Sequence, residues 1–325
     1  MNPSMNRRAL LGAAAATPFL ARAAAAAADA VRIGVFNVSS ALPFYVARER
    51  GFFAEAGLAV EAVPLQAAPL IVQAMVSGDL DGASNLVTLE GANINARRAN
   101  TAIYFALNGQ SDRFRMEQFV VRPGWNATTI RDLKGARILS APGPANMSAA
   151  RAVLSSVGLQ EGRDYTLSEQ QMGVHVGALA AGTFDAAYTL EPQATIAERQ
   201  GAARRLEAGV IATHLIGRPD AQAWAAGAAF TGKFLDARPE VAARFAGAWA
   251  KACATIRTDA SVRDLLVPFM QTSAELAPTV PLVNFAMVRD MAPQEIADFQ
   301  KFVDLAVAQG VVRSAIDVKS FLRPL

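Results

Sequence analysis

Three observations predict an α/β fold of two similar lobes. The chain repeats itself at an offset of about a hundred residues, short apolar runs alternate with helix-like runs, and 325 residues exceed what one hydrophobic core usually fills. Ala74-Met75-Val76-Ser77-Gly78-Asp79-Leu80-Asp81-Gly82-Ala83-Ser84 aligns with Ala178 to Tyr188, placing Gly78 on Gly182 and Asp81 on Asp185 at an offset of 104. Val31 to Val35 likewise matches Ala136 to Ser140, and Gly57-Leu58 matches Gly158-Leu159, at offsets of 101 to 105. Two copies of one strand-helix-strand-helix-strand unit explain the matches, and each implies a parallel-core sheet covered by helices.

Taken in order, Val31 to Phe36 opens the first lobe as a buried strand. The polar, proline-marked loop Asn37 to Pro43 leads into a helix from Phe44 to Ala56, stopped by Gly57. Leu58 to Pro64 is a second strand, Pro69 to Ser77 a helix with proline near its start, and Gly82 to Ser84 a third strand. Helix Val87 to Arg98 and strand Ala102 to Leu107 follow. Phe119-Val120-Val121 is a strand at the change of lobe, broken by Arg122-Pro123-Gly124. Lobe two repeats the plan with strand Ala136 to Ser140, helix Ser148 to Val157, strand Tyr165 to Leu167, helix Val174 to Ala181 and strand Asp185 to Tyr188. Gly227 to Phe230 reads as a return strand and the rest as helix, chiefly Pro239 to Thr258 and Pro293 to Ala308. The expected division is 29–116 for the first part of lobe one, 117–232 for lobe two, and 233–325 for helices closing back on lobe one, with two crossings forming a hinge.

Residues 1–28 have the parts of a secretory signal: Arg7-Arg8, an apolar stretch to Leu20, and alanines from Ala23 to Ala28. The paired arginines point to twin-arginine export. Cleavage near Ala28 removes Arg7, Arg8 and Arg22 and no acid, taking the formal charge from +3 to 0. A neutral mature chain lacks the cationic excess that nucleic-acid backbones require. Cys253 is the one cysteine, so an intramolecular disulfide is excluded, and it reads as a small buried apolar residue.

In open parallel sheets, ligands collect beyond the carboxyl ends of the strands, where helix N-termini present free N–H groups. That rule selects Asn37, Ser39, Leu42 and Phe44 after the first strand, then Gln66, Ser84, Asn85 and Asn108. In the second lobe it selects Ser140, Asn146, Met147, Ser148, Met172, His175, Tyr188 and Glu191. The repeat pairs Ser84 with Tyr188 and Gln66 with Gln170, so these residues are expected to face one another across a cleft. Each has a competing local role: Asn146 and Ser148 as helix caps, Phe44 as core, Glu191 as a solvated loop acid, and His175 as a helix-terminal residue with a satisfied ring. No Gly-X-Ser-X-Gly elbow, glycine-rich nucleotide loop or His-X-X-X-His pair occurs. Two distant histidines and one cysteine are a poor supply for zinc or iron. No catalytic residue, cofactor or metal is therefore expected.

Several motifs in order carry a family resemblance. They are the Arg7-Arg8 leader, the Asn37-Val38-Ser39-Ser40 loop, Ala47-Arg48-Glu49-Arg50-Gly51-Phe52-Phe53, Gly78 to Ala83, Asp132-Leu133-Lys134-Gly135, and Ala181 to Asp185 followed by Glu191-Pro192. Together they resemble the nitrate/sulfonate/taurine and thiamine-pyrimidine-precursor substrate-binding proteins of ABC importers. The resemblance covers nearly all the mature chain. It implies a two-lobed periplasmic-binding-protein fold, type II like, that closes on a small molecule and delivers it to an inner-membrane permease as a monomer, without enzyme activity. It also implies ligand contacts from the loops carrying Asn37 to Phe44, Ser84-Asn85, Ser140 to Ser148, and Tyr188 with Glu191. Some relatives that bind anionic sulfonates rely on arginine in the cleft, and none lies in these loops. The histidines and cysteine cluster of the yeast pyrimidine synthase branch are missing as well. The expected ligand is a small polar organic molecule, a sulfonate, aromatic acid or pyrimidine-like compound. Helix N-termini would take an anionic or carbonyl end, Glu191 would accept from an amine, and Phe44, Tyr188 and Met147 would hold an apolar body. An enzyme on the same scaffold and a ligand-presenting sensor are the competing classes.

Overall fold

The computed structural model describes residues 28–218 and 221–325, so the expected export signal lies outside the described residues. Two mixed sheets organise the chain. In the first, β1 (Asp29–Val35) runs parallel between β2 (Leu58–Pro64) and β3 (Gly82–Val87). In the second, β6 (Arg137–Ser140) runs parallel between β7 (Thr166–Glu169) and β8 (Ala186–Leu190). The same three-strand order recurs, and the starts of β3 and β8 are the repeat offset apart. The duplication seen in the sequence is therefore a duplication of supersecondary structure.

The repeated aspartates show why the motif recurs. The Asp81 carboxylate accepts from Arg32 N–H at 2.8 Å, and the Asp185 carboxylate accepts from Arg137 N–H at 3.0 Å. The backbone N–H of each aspartate returns a bond to the carbonyl of the same arginine, at 2.9 and 2.8 Å. Each aspartate thus pins the entry of the third strand to the entry of the central one. The preceding Gly78 and Gly182, at φ +85° and +68°, end their helices in a left-handed conformation that glycine adopts without strain.

The helices of the first lobe are α1 (Leu42–Glu49), α2 (Phe52–Glu55), α3 (Ala68–Ser77) and α4 (Thr88–Arg97). The single helix expected from Phe44 to Ala56 is two, because Gly51 at φ +77° interrupts it. In the second lobe α5 (Pro144–Ser156) starts a turn earlier than expected, with Pro144 in its first turn, where a missing N–H costs nothing. The helices α6 (His175–Ala180) and α7 (Gln193–Arg199) flank the second sheet.

Additional strands complete each sheet. The strand β4 (Ile103–Gln110) is in the first sheet, while β5 (Glu117–Val121) enters the second and pairs antiparallel with β8 on one side and with β9 (Arg204–Ala208) on the other. The edge strand β9 escaped the sequence reading because it is charged, as solvent-facing edges often are. Next, β10 (Ala223–Phe230) lies in the first sheet, antiparallel between β3 and β4. The boundary expected at 232 is thereby corrected: the chain has returned to the first lobe before residue 223. An alanine-rich strand buried on both faces carries no local mark of the sheet it joins. A short edge strand, β11 (Asn284–Met287), lies in a region read as helical.

After β10 come α8 (Gly232–Ala237), α9 (Pro239–Thr258), α10 (Leu266–Met270) and α11 (Pro293–Ala308). The long α9 packs on α1 and α2. Phe245 meets Phe53 at 4.6 Å between ring centroids, and Trp249 meets Phe105 edge-on at 5.8 Å. Cys253 on the same helix is buried, and burial pushes its thiol up to about 12. The helix α11 lies on β10. Among the described residues no helix is long and apolar enough to cross a membrane.

The two crossings touch. Gly209, at φ +64°, lies so close to the segment after β4 that a Cβ there would stand 2.2 Å from Asp112 N and Ser111 C. Gly209 N–H also donates to the Glu117 carbonyl at 3.1 Å.

Candidate functional site

Between the sheets, beyond the carboxyl ends of β1, β3 and β8, lies a narrow cavity of about 40 Å³. The first lobe contributes Phe36, Val38 and Ser40 from the loop after β1, Asn85 and Val87 from β3, and Gln110 from the end of β4. From the second lobe come Ala145, Asn146 and Ala149 at the start of α5, and Tyr188 and Leu190 from β8. The crossings add Met116, Glu117 and Ile211. This volume holds little more than water, so an organic molecule requires the lobes to part. A larger groove of about 940 Å³ runs past Asp81, Asn100 and Thr231, at the opposite end of the first sheet, and touches one lobe alone.

Contacts between the lobes hold the cavity shut. The Glu90 carboxylate on α4 accepts from Ala145 N–H at the start of α5 at 3.2 Å. Ser39 N–H donates to the Glu191 carbonyl at 3.1 Å, while its hydroxyl donates to Met116 Sδ on the first crossing at 3.3 Å.

Glu117 is the buried carboxyl of the site, with 1% of its surface exposed. Its Oε1 accepts from Ile211 N–H at 3.0 Å, while Oε2 has no partner among the described residues. Burial pushes the carboxyl up to about 7, only partly offset by that hydrogen bond. Gln110 Oε1 is also buried and unpartnered. The ring of Tyr188 packs on Phe119 at 5.4 Å. Burial, and secondarily the nearby Glu117, raise the Tyr188 phenol well above its usual value, leaving a neutral O–H donor. Among the described residues no Arg, Lys or His lines the cavity.

Of the residues selected from the sequence, Asn85, Asn146 and Tyr188 line the cavity. Asn85 is consumed by structure: its amide donates to the Phe36 carbonyl at 2.8 Å and to Ser40 Oγ at 3.0 Å, and its oxygen accepts from Phe36 N–H at 3.1 Å. Asn146 donates to the Pro142 carbonyl at 2.7 Å. Ser84 is buried and donates to Asn85 Oδ1 at 2.8 Å, and it is not among the residues lining the cavity.

The others lie elsewhere. Asn37 accepts from the Tyr45 hydroxyl at 2.6 Å, Ser39 joins the interlobe contacts, and Leu42 and Phe44 are core. Gln66 is exposed, and Asn108 donates to the Ser40 carbonyl at 3.4 Å. Ser140 donates to the Ala141 carbonyl, Met147 packs against the core, Ser148 lines a groove with His214 on another face, and Met172 is buried apart from the cavity.

His175 is buried with both ring nitrogens engaged. Its Nε2 donates to the Gln170 carbonyl at 3.2 Å, which leaves Nδ1 to accept from the Thr189 hydroxyl at 2.7 Å. Burial lowers its pKa to about 4, so the ring is neutral. Glu191 is fully buried, paired with Arg205 at 2.8 Å and accepting from Thr195 N–H at 3.1 Å. The expected amine acceptor is thereby committed to its own lobe, which corrects that role.

Glu117 and Gln110 line the cavity without having been selected: β4 runs on to Gln110, past the end expected at Leu107, and Glu117 opens β5 rather than following a strand. The available signal was an acid two positions before the apolar run Phe119-Val120-Val121, on the face that Phe119 shares.

A two-lobed molecule with its cavity between strand tips has the architecture of periplasmic binding proteins. The chain belongs to the NMT1/THI5-like family, whose model matches residues 39–259. Its structure is similar to that of the alkanesulfonate-binding protein SsuA from Xanthomonas axonopodis pv. citri bound to MOPS, at 19% identity over 90% of this chain and 98% of that one, with a TM-score of 0.71. It is similar to the periplasmic nitrate-binding protein NrtA from Synechocystis PCC 6803, at 14% identity over 91% and 86%, with a TM-score of 0.72. It is also similar to the desulfurization enzyme DszB, at 16% identity over 90% and 96%, with a TM-score of 0.65. Comparison with curated protein sequences finds no match.

Proposed function

We propose that this protein is the solute-binding component of an ABC importer. It works in the periplasm after twin-arginine export, as a monomer, capturing a small polar organic molecule between its lobes and handing it to an inner-membrane permease. The observation that carries this reading is that the cavity takes walls from both lobes and both crossings. A ligand there stabilises the closed arrangement by contacts it lacks when the lobes are apart, which is the differential affinity that capture requires. Family membership and the likeness to SsuA and NrtA support the same reading.

The likeness to DszB favours an enzyme as the second reading. The cavity lends it less support, since its titratable lining residues are Glu117 and Tyr188, and Cys253 lies in the core of α9. Small-angle scattering and thermal shift of the mature protein against a solute panel test the proposal. A cognate solute compacts the protein, raises its melting temperature and is recovered chemically unchanged. Turnover of that solute overturns binding in favour of catalysis.

A further inference from the structure

We propose that Glu117 is the ligand-anchoring and specificity-determining residue of the cleft, and that the ligand is a small organic ammonium compound: an apolar body carrying one protonated amine. The inference rests on the solute-binding reading above.

Glu117 is tied into the hinge twice, by its carbonyl to Gly209 and by Oε1 to Ile211. Those bonds complete its structural work and leave Oε2 over, buried and without a donor. A buried carboxylate oxygen in that state costs stability unless a partner arrives. Gln110, another residue lining the cavity, has a second buried acceptor, Oε1, without a donor. Two unanswered acceptors call for a donor-rich group, and an ammonium carries three N–H donors and no acceptor.

The same walls disfavour an anion. No cation lines the cavity among the described residues, and at the start of α5, where an anion would gain from free N–H groups, the Ala145 N–H already donates to the Glu90 carboxylate, which brings a like charge there. Val38, Val87, Leu89, Leu190 and Phe302 supply apolar surface for the rest of the molecule. Amine recognition by a carboxylate also makes binding depend on pH. The titratable lining residues are Glu117 and Tyr188, and on the flanking strands Glu191 is paired with Arg205 and Glu207 with His214. With the Glu117 carboxyl near 7 in the free protein, raising the pH from 6 to 8 ionises it. Amine affinity then increases about tenfold over that interval, while alkylamines themselves stay protonated.

The test is calorimetric titration and thermal shift with butylamine, benzylamine and phenethylamine against butanesulfonate and benzoate, on the mature protein and the Glu117→Gln variant. Circular dichroism confirms that the variant is folded, and Gln110→Ala serves as a second, milder probe. Binding of an amine that strengthens with pH and weakens at least tenfold in Glu117→Gln supports the proposal. A sulfonate or carboxylate that binds the wild-type protein and Glu117→Gln equally overturns it while leaving solute capture intact. If no member of either class binds, the amine proposal falls. If in addition no solute of the wider panel compacts the protein, the solute-binding reading falls with it.

Discussion

The Glu90 carboxylate of the first lobe reaches across the cleft to Ala145 N–H, 3.2 Å away at the start of α5. One lobe thereby caps a helix of the other. The bond exists only while the lobes are together, and it places negative charge where the helix dipole favours it. Burial is the main influence on Glu90 and raises its carboxyl above the usual range, so the contact weakens in mild acid as the group takes up a proton.

Removing this cap is expected to loosen closure without unfolding either lobe. Glu90→Ala should shift the balance toward the open form by about 1 kcal/mol, equivalent to a roughly fivefold loss in apparent ligand affinity. The radius of gyration of the ligand-free variant, measured by small-angle scattering, should rise while its circular dichroism stays unchanged.

The paired aspartates offer a test of the duplication. Asp81→Asn and Asp185→Asn should each cost about 1–3 kcal/mol in chemical denaturation, because each side chain fixes two parallel strands at their entry. Asp185 also carries an acid dependence. Arg137 first, with Arg122 helping, holds the Asp185 carboxyl down to about 2, so the stability it contributes is present above the usual carboxylate value and lost as pH falls toward 2. The Asp185→Asn variant should therefore show a shallower loss of stability between pH 5 and 2 than the wild-type protein.

His175 should behave as a neutral residue throughout the physiological range. Its pKa is lowered by burial to about 4, so the native state binds no proton there at pH 6 whereas the unfolded chain begins to. The corresponding stability is fully present above about 6.5 and is lost as pH falls to about 4, by up to roughly 3 kcal/mol. An imidazole resonance for His175 that titrates near 6.5 in the folded protein would contradict the buried, doubly bonded ring.

The architecture was legible because it is written twice. The Gly-X-X-Asp pattern recurs for a mechanical reason, glycine ending a helix and aspartate tying the next strand, and alternation of strands and helices did the rest. Strand partnership was less legible: β10 joins the first sheet through long-range pairing that its run of alanines does not advertise, and β9 hides behind its arginines. Of the residues chosen by the rule that ligands gather beyond strand ends, Asn85, Asn146 and Tyr188 line the interlobe cavity. The rule missed Glu117 and Gln110, since the hinge segments become walls only once the lobes have folded over them. His175 and Glu191 looked chemical from their residue types, yet their neighbours satisfy them within one lobe.

Gly209 rests against the backbone of Ser111 and Asp112, so the two connecting segments are not independent tethers. They work as a single axle, and Glu117 is the pin through it, bonded to one segment while belonging to the other. Whatever touches the spare oxygen of that pin acts at the pivot itself, where the smallest displacement is multiplied into the largest swing at the rim.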